Sequence, residues 1–255
     1  MRIMTNEAVR DYWEKEPCGA GPKVTREAPT GTKEYSERIE EYRYRAEPFI
    51  HSVAQFTRHR GKTMLEIGVG AGTDHLQWAR AGLRCHGVDL TDAAVEMTRQ
   101  RLALYGLSSQ LQRLDSESLP FLDGSFDLVY SWGAIHHSER PELIIGNIHR
   151  ILKPGGVFIG MMYGRYSLKV LKTWIWFALL KGRPWMSFRQ VVSRFVESPG
   201  TKAYTLKECK ELFSEFQEFQ AEHVLTIYDT RMIPRWLARF LPDDWGWFIT
   251  MRAVK

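Results

Sequence analysis

The residues best suited to chemistry lie in one short run, Glu66-Ile67-Gly68-Val69-Gly70-Ala71-Gly72. Every second residue of this run from its third position is glycine, which removes side chains where the backbone turns and lets a ligand lie against the main chain. The pattern predicts a buried strand over residues 63–69, a glycine turn, and a helix that begins near Thr73 or Asp74, either of which can cap the free N–H groups.

The spacing within this run distinguishes between cofactors. A phosphate-binding loop needs a Lys after its glycines, and none follows here. The dinucleotide fingerprint needs three residues from its second glycine to its third, whereas this run reads Gly-x-Gly-x-Gly. Glu66 would repel a pyrophosphate but attract a ligand that carries an ammonium and a sulfonium. The run therefore points to S-adenosylmethionine, with S-adenosylhomocysteine as the product.

Acidic residues at two later strand ends fit the same cofactor. Asp89 ends the second predicted strand, and its two oxygens can accept hydrogen bonds from both ribose hydroxyls. Asp115 ends the third and can accept from the adenine amino group, with Ser116 and Glu117 supplying nearby backbone. Either aspartate could instead be an ordinary turn residue, and Glu66 could only brace the loop by accepting backbone N–H bonds.

Five segments, in the same order, resemble the motifs of class I S-adenosylmethionine-dependent methyltransferases. The similarity is to the small-molecule branch that includes the ubiquinone and menaquinone biosynthesis methyltransferases, and it covers about residues 62–162. The segments are residues 65–72, 87–90, 115–121, 126–131 and 151–156. The cofactor-binding residues that these motifs and their physical roles predict are Glu66, Gly68, Gly70, Gly72, Asp89, Leu90, Asp115, Ser116, Glu117, Ser131 and Trp132.

Strands and helices alternate after residue 62, which predicts an α/β fold. We expect a Rossmann-like seven-stranded sheet, mostly parallel with an antiparallel closing hairpin strand, and helices on both faces. The predicted units are an N-terminal helical cap (1–60), the S-adenosylmethionine-binding core (61–162), a helical, Trp-rich insertion (163–204), and a C-terminal helix with the closing strands of the same domain (205–255). Within the cap, residues 34–59 are expected to be helical.

Methyl transfer from a sulfonium is an in-line displacement that depends on alignment and exclusion of water. The predicted catalytic residues are His136 and His137, which follow the fourth strand, and Tyr163, which follows the fifth. Either histidine could remove a proton from a hydroxyl or enol, because an imidazole titrates near working pH. Both could equally be hydrogen-bonded loop residues, and the family resemblance assigns no base.

The insertion is expected to contact the acceptor. Residues 168–185 are rich in Trp and Leu and form a candidate lid over an apolar substrate, with simple packing as the alternative. Charged and aromatic residues that flank the insertion could hold an anionic group or be solvated surface residues; they are Arg165, Arg194, Glu197, Lys202 and Tyr204. The predicted substrate residues are Tyr12, Tyr35, Tyr166, Trp174, Arg194 and Tyr204.

Composition limits the classes of protein and the kinds of partner that this sequence allows. A chain of 255 residues with 44% hydrophobic and 25% charged residues can bury the core of one α/β domain. Three cysteines lie far apart without metal-ligand spacing, which predicts no bound metal and a reduced, cytoplasmic protein. The apolar run 170–180 is shorter than the ~20 residues that span a bilayer, so only weak peripheral membrane association is possible.

The prediction is therefore a methyltransferase that acts on the oxygen or carbon of a small, largely apolar acceptor, such as a quinone precursor, an isoprenoid or a specialised metabolite. A net charge of +5 permits a nucleic-acid (RNA) methyltransferase as an alternative. The Asn/Asp-Pro-Pro-aromatic tetrad of base-amine methyltransferases is replaced by residues 131–134, Ser-Trp-Gly-Ala, which makes nucleic acid an unlikely partner. A cofactor-binding scaffold without catalysis is a third possibility. The acceptor, its methylated atom, the oligomeric state and the pathway stay open.

Overall fold

The computed structural model describes residues 5–25, 28–231 and 233–255. Its strands are β1 Thr63–Ile67, β2 Arg84–Asp89, β3 Gln110–Arg113, β4 Phe126–Trp132, β5 Leu152–Tyr163, β6 Glu218–Val224 and β7 Phe248–Val254. Its helices are α1 Asn6–Trp13, α2 Pro22–Thr25, α3 Lys33–Ala46, α4 Ile50–Ala54, α5 Thr73–Arg80, α6 Asp92–Leu104, α7 Pro141–Ile151, α8 Leu168–Phe177, α9 Phe188–Phe195, α10 Leu206–Leu212, α11 Ile227–Thr230 and α12 Arg235–Ala238.

One seven-stranded sheet has the order β3-β2-β1-β4-β5-β7-β6. The pairs among β1 to β5 are parallel, and β7 runs antiparallel to both of its neighbours, β5 and β6. The predicted Rossmann-like sheet with an antiparallel closing strand is therefore confirmed. The parallel strands end at one common edge, so the loops that follow β1, β2 and β4 meet there.

Apolar layers cover both faces of the sheet. Alternate residues of each strand point to opposite faces, so Val129 belongs to one layer and Leu128 and Tyr130 to the other. The first layer is closed by α7 and α10, through residues that include Ile144, Ile148 and Phe213. The second is closed by the N-terminal helices, α5 and the insertion, through residues that include Ile50, Trp78, Val170 and Val192. The insertion is thus packed onto the core at its base.

The helix expected over residues 34–59 is broken. It forms α3, the short α4 and a 3-10 turn, Phe56–His59. Proline at position 48 disfavours a helical conformation at Glu47, whose φ is −132° and ψ is 62°. A second break occurs at Gln55, which has a left-handed φ of 50°. The first break leaves the Glu47 side chain buried at the end of α3.

The N-terminus of α5 also differs from expectation. Its capping residue is Gly72, and neither Thr73 nor Asp74 caps it by a side chain. The buried Asp74 carboxylate instead accepts hydrogen bonds from three side chains, which are Arg43 Nη2 at 2.6 Å, Tyr44 Oη at 3.0 Å and Tyr130 Oη at 2.9 Å. This carboxylate therefore connects the N-terminal helices to the sheet. Among the described residues, no helix has both the length and the apolarity needed to cross a membrane.

Candidate functional site

Two adjoining cavities lie at the carboxyl ends of the parallel strands, with volumes of about 330 Å³ and 660 Å³. They share wall residues that include Trp13, Arg43, Glu47, Gly70 and Trp132. The predicted cofactor residues that line the first cavity are Gly68, Gly70, Asp89, Leu90, Asp115, Ser116 and Trp132, and the second adds Glu66. The other three, Gly72, Glu117 and Ser131, are not among the described wall residues of either cavity.

Gly70 and Gly72 of the turn lie in different surroundings, so a side chain at each position would meet different neighbours. Gly70 has a φ of +52°, and a Cβ built there would find its nearest neighbour, the Cys18 Cβ, at 3.8 Å, which leaves room for a ligand. A Cβ on Gly72 would lie 2.7 Å from Thr98 Oγ1. Gly72 is therefore required for the close packing of α5 against α6, whereas Gly70 lies open to the cavities.

Asp89 supports the glycine turn while facing the first cavity. Its Oδ2 accepts a hydrogen bond from the Gly70 N–H at 3.1 Å, and its Oδ1 accepts from Thr91 N at 3.0 Å and Thr91 Oγ1 at 2.8 Å. Burial raises the pKa of Asp89 above its ordinary value, although these hydrogen bonds oppose the shift. Oδ1 already accepts two bonds, whereas Oδ2 accepts one and keeps lone-pair capacity for a ligand hydroxyl.

A polar residue of α1 holds the loop after β3. Asn6 Nδ2 donates to Asp115 Oδ2 at 2.9 Å and to Glu117 Oε1 at 2.7 Å, and Asn6 Oδ1 accepts from Glu139 N at 2.9 Å. Asn6 and Asp115 both line the first cavity. No pattern in the sequence indicates this role for Asn6, because the three partners lie more than a hundred residues away.

Glu117 and Ser131 are engaged with the protein itself. The Glu117 carboxylate accepts from Ser138 Oγ at 2.6 Å and from Arg140 N and Nε, both at 2.9 Å. Burial opposes its ionisation, but these bonds together with that from Asn6 lower the pKa of Glu117 to about 2. Ser131 Oγ donates to the Ile67 carbonyl at 3.0 Å. The Glu117 side chain therefore fixes the loop after β4, and the Ser131 side chain connects β4 to the end of β1.

Glu66 faces the second cavity and also braces the sheet. Its Oε2 lies 2.9 Å from His75 Nδ1, and His75 Nε2 lies 2.9 Å from Ser109 Oγ. Burial raises the pKa of Glu66 well above its ordinary value and lowers the pKa of His75 to about 4. This chain of contacts ties β1 to α5 and to the residue before β3.

An ion pair at the end of α3 lies beside the glycine turn. Trp132 Nε1 donates to Glu47 Oε2 at 2.8 Å, and Arg43 Nη1 lies 3.4 Å from the same oxygen. Burial raises the pKa of Glu47, although Arg43 opposes the shift. Arg43 and Glu47 each line both cavities. The sequence signal that could have found Glu47 is the proline that follows it.

His137 lies in the wall of the first cavity with both ring nitrogens engaged. Its Nδ1 lies 2.8 Å from Ser198 Oγ and 3.0 Å from Thr201 Oγ1, whose own proton is donated to the Ser198 carbonyl at 2.6 Å. The Ser198 hydroxyl can donate to Nδ1 or accept from it, so these contacts fit either ring tautomer. The Nε2 atom lies 3.3 Å from Glu197 Oε2 and can donate to that carboxylate when it carries a proton.

Glu197 follows α9 and has a left-handed φ of 54°. Its side chain is 36% accessible because it lines the two cavities. Tyr163 Oη donates to its two oxygens at 2.8 and 2.9 Å. Burial would raise the pKa of Glu197, but His137 and Tyr163 outweigh it and lower the pKa. Burial and the Glu197 charge raise the pKa of Tyr163, which therefore stays a donor.

His136 differs from its neighbour. It is fully buried, both ring nitrogens lack a hydrogen-bond partner among the described residues, and its ring lies 3.8 Å from that of Tyr163. Burial and His137 lower its pKa well below the ordinary value. The ligand atoms of His136, His137 and Glu197 lie within 4.8 Å of one another, a donor set that a metal ion can use. The absence of a metal stays a prediction.

The six predicted substrate residues all lie in the described part of the chain, and none lines either cavity. Tyr35 Oη donates to the Ala20 carbonyl at 3.2 Å, and Trp174 Nε1 donates to the Met186 carbonyl at 2.7 Å, so both polar ring ends are used in packing. Tyr204 lines a separate cavity of about 570 Å³. Three are exposed, namely Tyr12, Tyr166 and Arg194. The insertion contributes other residues to the first cavity, which are Lys169, Phe195, Val196 and Glu197.

Comparison with known proteins agrees with this geometry. Residues 65–160 match the family described as Methyltransf_11, methyltransferase domain. Phosphoethanolamine N-methyltransferase 2 of Caenorhabditis elegans is 36% identical over 108 residues, which cover 41% of this chain and 24% of that protein. Sterol 24-C-methyltransferase of Eremothecium gossypii is 32% identical over 126 residues, which cover 45% of this chain and 34% of that protein. The chain thus spans about a third or less of these relatives.

A solved structure shows the same fold over nearly the whole chain. The Haloferax volcanii chain determined in complex with the Trm112 methyltransferase activator has a TM-score of 0.60 and 21% identity, and the match covers 96% of both chains. The strand order, the residues at the strand ends and the family match agree with one another. Residues 65–160 of this protein therefore form a methyltransferase domain within the seven-stranded sheet, and S-adenosylmethionine is the cofactor.

Proposed function

We propose that the protein transfers a methyl group from S-adenosylmethionine to the oxygen or carbon of a small, largely apolar acceptor. One observation carries the proposal: the first cavity joins Asp89 and Asp115 to the His137–Glu197 pair along an apolar wall. The apolar wall residues include Val9, Trp13, Ile144, Met161, Phe195, Val196, Trp247 and Phe248. A cavity of this kind suits an apolar acceptor held beside a base.

The cofactor fits the polar end of this site. Asp89 would accept from the ribose hydroxyls and Asp115 from the adenine amino group. Arg43 and Glu47 place a cation and an anion side by side at the cavity wall, which matches the carboxylate and ammonium of an amino acid. Space at the Gly70 Cβ position supports a close approach of ligand to backbone. When bound, the cofactor supplies an electrophilic methyl group.

His137 is the proposed general base. The proposal requires the tautomer in which Nδ1–H donates to Thr201 Oγ1, because its Nε2 lone pair can take the proton of an acceptor hydroxyl or enol. The Glu197 carboxylate, held by Tyr163, then stabilises the imidazolium that forms. General-base catalysis of this kind typically contributes about 10²–10⁴-fold to the rate. The buried His136 would support the ring of Tyr163 by packing.

The residues that line the first cavity indicate the class of acceptor. Phe195, Val196 and Lys169 come from the insertion, which supports the lid interpretation for this segment. The sterol 24-C-methyltransferase relative is consistent with an isoprenoid, whereas the phosphoethanolamine N-methyltransferase relative indicates that this domain type also serves polar acceptors. Among quinone precursors, isoprenoids and specialised metabolites, the apolar wall favours acceptors with an extended apolar part.

The test uses the full chain, S-adenosylmethionine with a labelled methyl group, and an apolar metabolite extract. We expect labelled products and release of S-adenosylhomocysteine. His137→Gln should lower turnover at least about 100-fold while calorimetric affinity for S-adenosylhomocysteine stays unchanged. His149→Gln is the matched control, because it removes a His–Glu contact, 3.8 Å to Glu215, outside the site.

Other outcomes would reject the proposal in distinct ways. S-adenosylhomocysteine binding without a labelled product in any extract would indicate a scaffold. Label incorporated into RNA and into no small molecule would indicate the nucleic-acid alternative. Loss of turnover after treatment with a chelator, restored by a divalent metal, would show that His136, His137 and Glu197 hold an ion and that His137 is not a free base.

A further inference from the structure

The positive charge of the chain is concentrated in the insertion. Residues 163–196 contain seven Lys and Arg residues and no Asp or Glu, whereas the whole chain has a net charge of only +5. Elsewhere basic and acidic residues are interspersed. Arg165 and Arg189 form ion pairs with Glu208 outside this run. Lys181 and Arg183 form no ion pair with the described residues, so this part of the run is suited to an anionic partner.

The same segment exposes large apolar side chains at its outer end, residues 176–185, which we name the basic-aromatic tip. Trp176 is 57% exposed, Leu180 61% and Trp185 76%. Two exposed cations, Lys181 and Arg183, lie between them in the chain. Large exposed apolar side chains close together in the chain mark interaction sites, and aromatic rings interspersed with Lys and Arg are typical of helices and loops that lie in a membrane interface.

The first part of α8, which leads into the tip, is fixed by the rest of the fold. Val170 of α8 is fully buried in the core. Lys172 Nζ donates to the carbonyl oxygens of Tyr228 at 2.9 Å and Asp229 at 2.7 Å, and Lys169 N donates to Asp229 Oδ1 at 3.1 Å. These contacts fix α8 against α11, so the apolar residues are presented on a supported element.

An apolar path connects the tip to the first cavity. Phe177, at the end of α8, stacks on Phe195 with ring centroids 4.7 Å apart and an interplanar angle of 13°. Both rings are partly exposed, and Phe195 also lines the first cavity. A molecule with an apolar chain could therefore pass from the tip to the cavity along aromatic surface.

We propose that the basic-aromatic tip docks on the surface of an anionic lipid bilayer, and that the apolar acceptor reaches the first cavity from that bilayer. The second clause rests on the proposed function. Lys181 and Arg183 meet the lipid phosphates, while Trp176, Leu180 and Trp185 enter the boundary between headgroups and acyl chains. Charge complementarity selects a bilayer over a second copy of this chain, because two such tips would repel each other.

The test is flotation of the full chain with vesicles. Vesicles of phosphatidylcholine mixed with phosphatidylglycerol should bind the protein, vesicles of phosphatidylcholine alone should bind it weakly, and added salt should weaken binding. The variants Trp176→Ala/Trp185→Ala and Lys181→Glu/Arg183→Glu should each raise the lipid concentration at half-binding by about tenfold. Leu122→Ala and Lys207→Glu are matched controls, because both residues are highly exposed outside the insertion.

Further measurements separate the outcomes. The tip variants should bind S-adenosylhomocysteine and unfold like the wild type, which excludes a general folding defect. Equal flotation of wild type and tip variants would overturn the proposal, as would self-association or RNA binding that depends on the tip without vesicle binding. Vesicle binding without methyl transfer to any extract would uphold the docking surface and reject the proposed function. Methyl transfer without vesicle binding would uphold the proposed function and reject the docking surface.

Discussion

Asp89 shows how one carboxylate can hold a turn and remain available to a ligand. Asp89→Ala removes the acceptor of the Gly70 N–H and the proposed ribose contacts. Hydrogen bonds to a charged group are worth about 1.5–3 kcal/mol each, so we expect the Kd for S-adenosylhomocysteine to rise about 10- to 100-fold in calorimetry.

Asp89→Asn is the matched variant for that measurement. Its side-chain oxygen can still accept from Gly70, but the negative charge is lost, so its Kd should lie between those of wild type and Asp89→Ala. An Asp89→Ala protein that binds the cofactor product as tightly as the wild type would contradict the placement of ribose at the end of β2.

Glu197 is a second residue whose ionisation matters. Its lowered pKa keeps the carboxylate charged across about pH 6–9, where an ordinary carboxyl is ionised as well. Glu197→Gln should therefore lower turnover by about 10- to 100-fold at every pH in that range, because the His137 imidazolium loses its counter-charge. Initial rates of label transfer measured across that range check this expectation.

Tyr163→Phe provides the comparison for Glu197→Gln. It removes the hydrogen bonds to Glu197 but retains the ring that packs on His136, so turnover should fall by about tenfold or less. If Glu197→Gln retained full turnover at all pH values, Glu197 would have no part in stabilising the base.

At the scale of elements, one mostly buried ion pair joins α3 to α5, beside hydrogen bonds and a more exposed ion pair between the same helices. Arg43 Nη2 lies 2.6 Å from Asp74 Oδ2, and the Asp74 side chain is almost wholly buried. Breaking a buried pair by removing one partner typically costs about 3–5 kcal/mol. Arg43→Met should therefore lower the free energy of unfolding by about 3 kcal/mol, as measured by urea denaturation.

Arg45→Met is the control on the same helix. Arg45 pairs with Glu41 at 3.3 Å on the solvent-exposed side of α3, where such pairs are worth about 0–1 kcal/mol. The double variant Arg43→Met/Asp74→Asn should regain part of the lost stability, because it no longer leaves a buried unpaired charge. Equal losses in Arg43→Met and Arg45→Met would show that the buried pair does not link the two helices.

Much of the fold could be predicted because its signals are local. The alternation of strands and helices, the glycine turn, and Asp89 and Asp115 at successive strand ends are all patterns of neighbouring residues. The His137–Glu197 contact is different, because sixty residues separate its members and only the packing of the insertion brings them together. Tyr35 and Trp174 are predicted from the sequence to contact substrate, but the polar ends of their rings form hydrogen bonds within the packed protein.

At the scale of the whole molecule, the N-terminal helices and the insertion both contribute walls to the site. Trp13 of α1 meets His137 edge to face at 5.4 Å, and both line the first cavity with residues of the insertion. The segment between α1 and α2 contributes Cys18 to the walls of both cavities. Cofactor should therefore be covered by residues from both ends of the chain.

Cys18 provides a chemical probe of this closure. It is exposed, whereas Cys85 and Cys209 are buried, so native protein should be alkylated at one site. Loss of hydration at the cavity wall, together with the charge of Glu197, raises the pKa of the Cys18 thiol to about 12, so alkylation should be slow and should accelerate as pH rises. Saturating S-adenosylhomocysteine should slow it at least about tenfold in mass spectrometry. An unchanged rate would place the ligand away from Cys18, and Cys18→Ala should show no native labelling.

The stability of the whole molecule should depend on pH through histidines held neutral. His59 is buried against Trp78, and neither ring nitrogen has a hydrogen-bond partner in the described part of the chain. Burial together with nearby cations lowers its pKa to about 4. In the unfolded chain a histidine has a pKa near 6.5, so between about pH 6.5 and 4 the unfolded state binds a proton that the folded state does not. Stability should therefore fall as pH falls through this window, by about 1.4 kcal/mol per pH unit from His59, with His136 acting in the same direction.

His59→Phe tests this dependence directly, since Phe can occupy an apolar site and binds no proton. Urea denaturation between about pH 7 and 4 should give a free energy of unfolding that falls less steeply in the variant, by about 1.4 kcal/mol per pH unit. Above about pH 7 the two profiles should run parallel, because both states are then neutral at this position. Parallel profiles over the whole range would mean that His59 is protonated equally in the folded and unfolded chains.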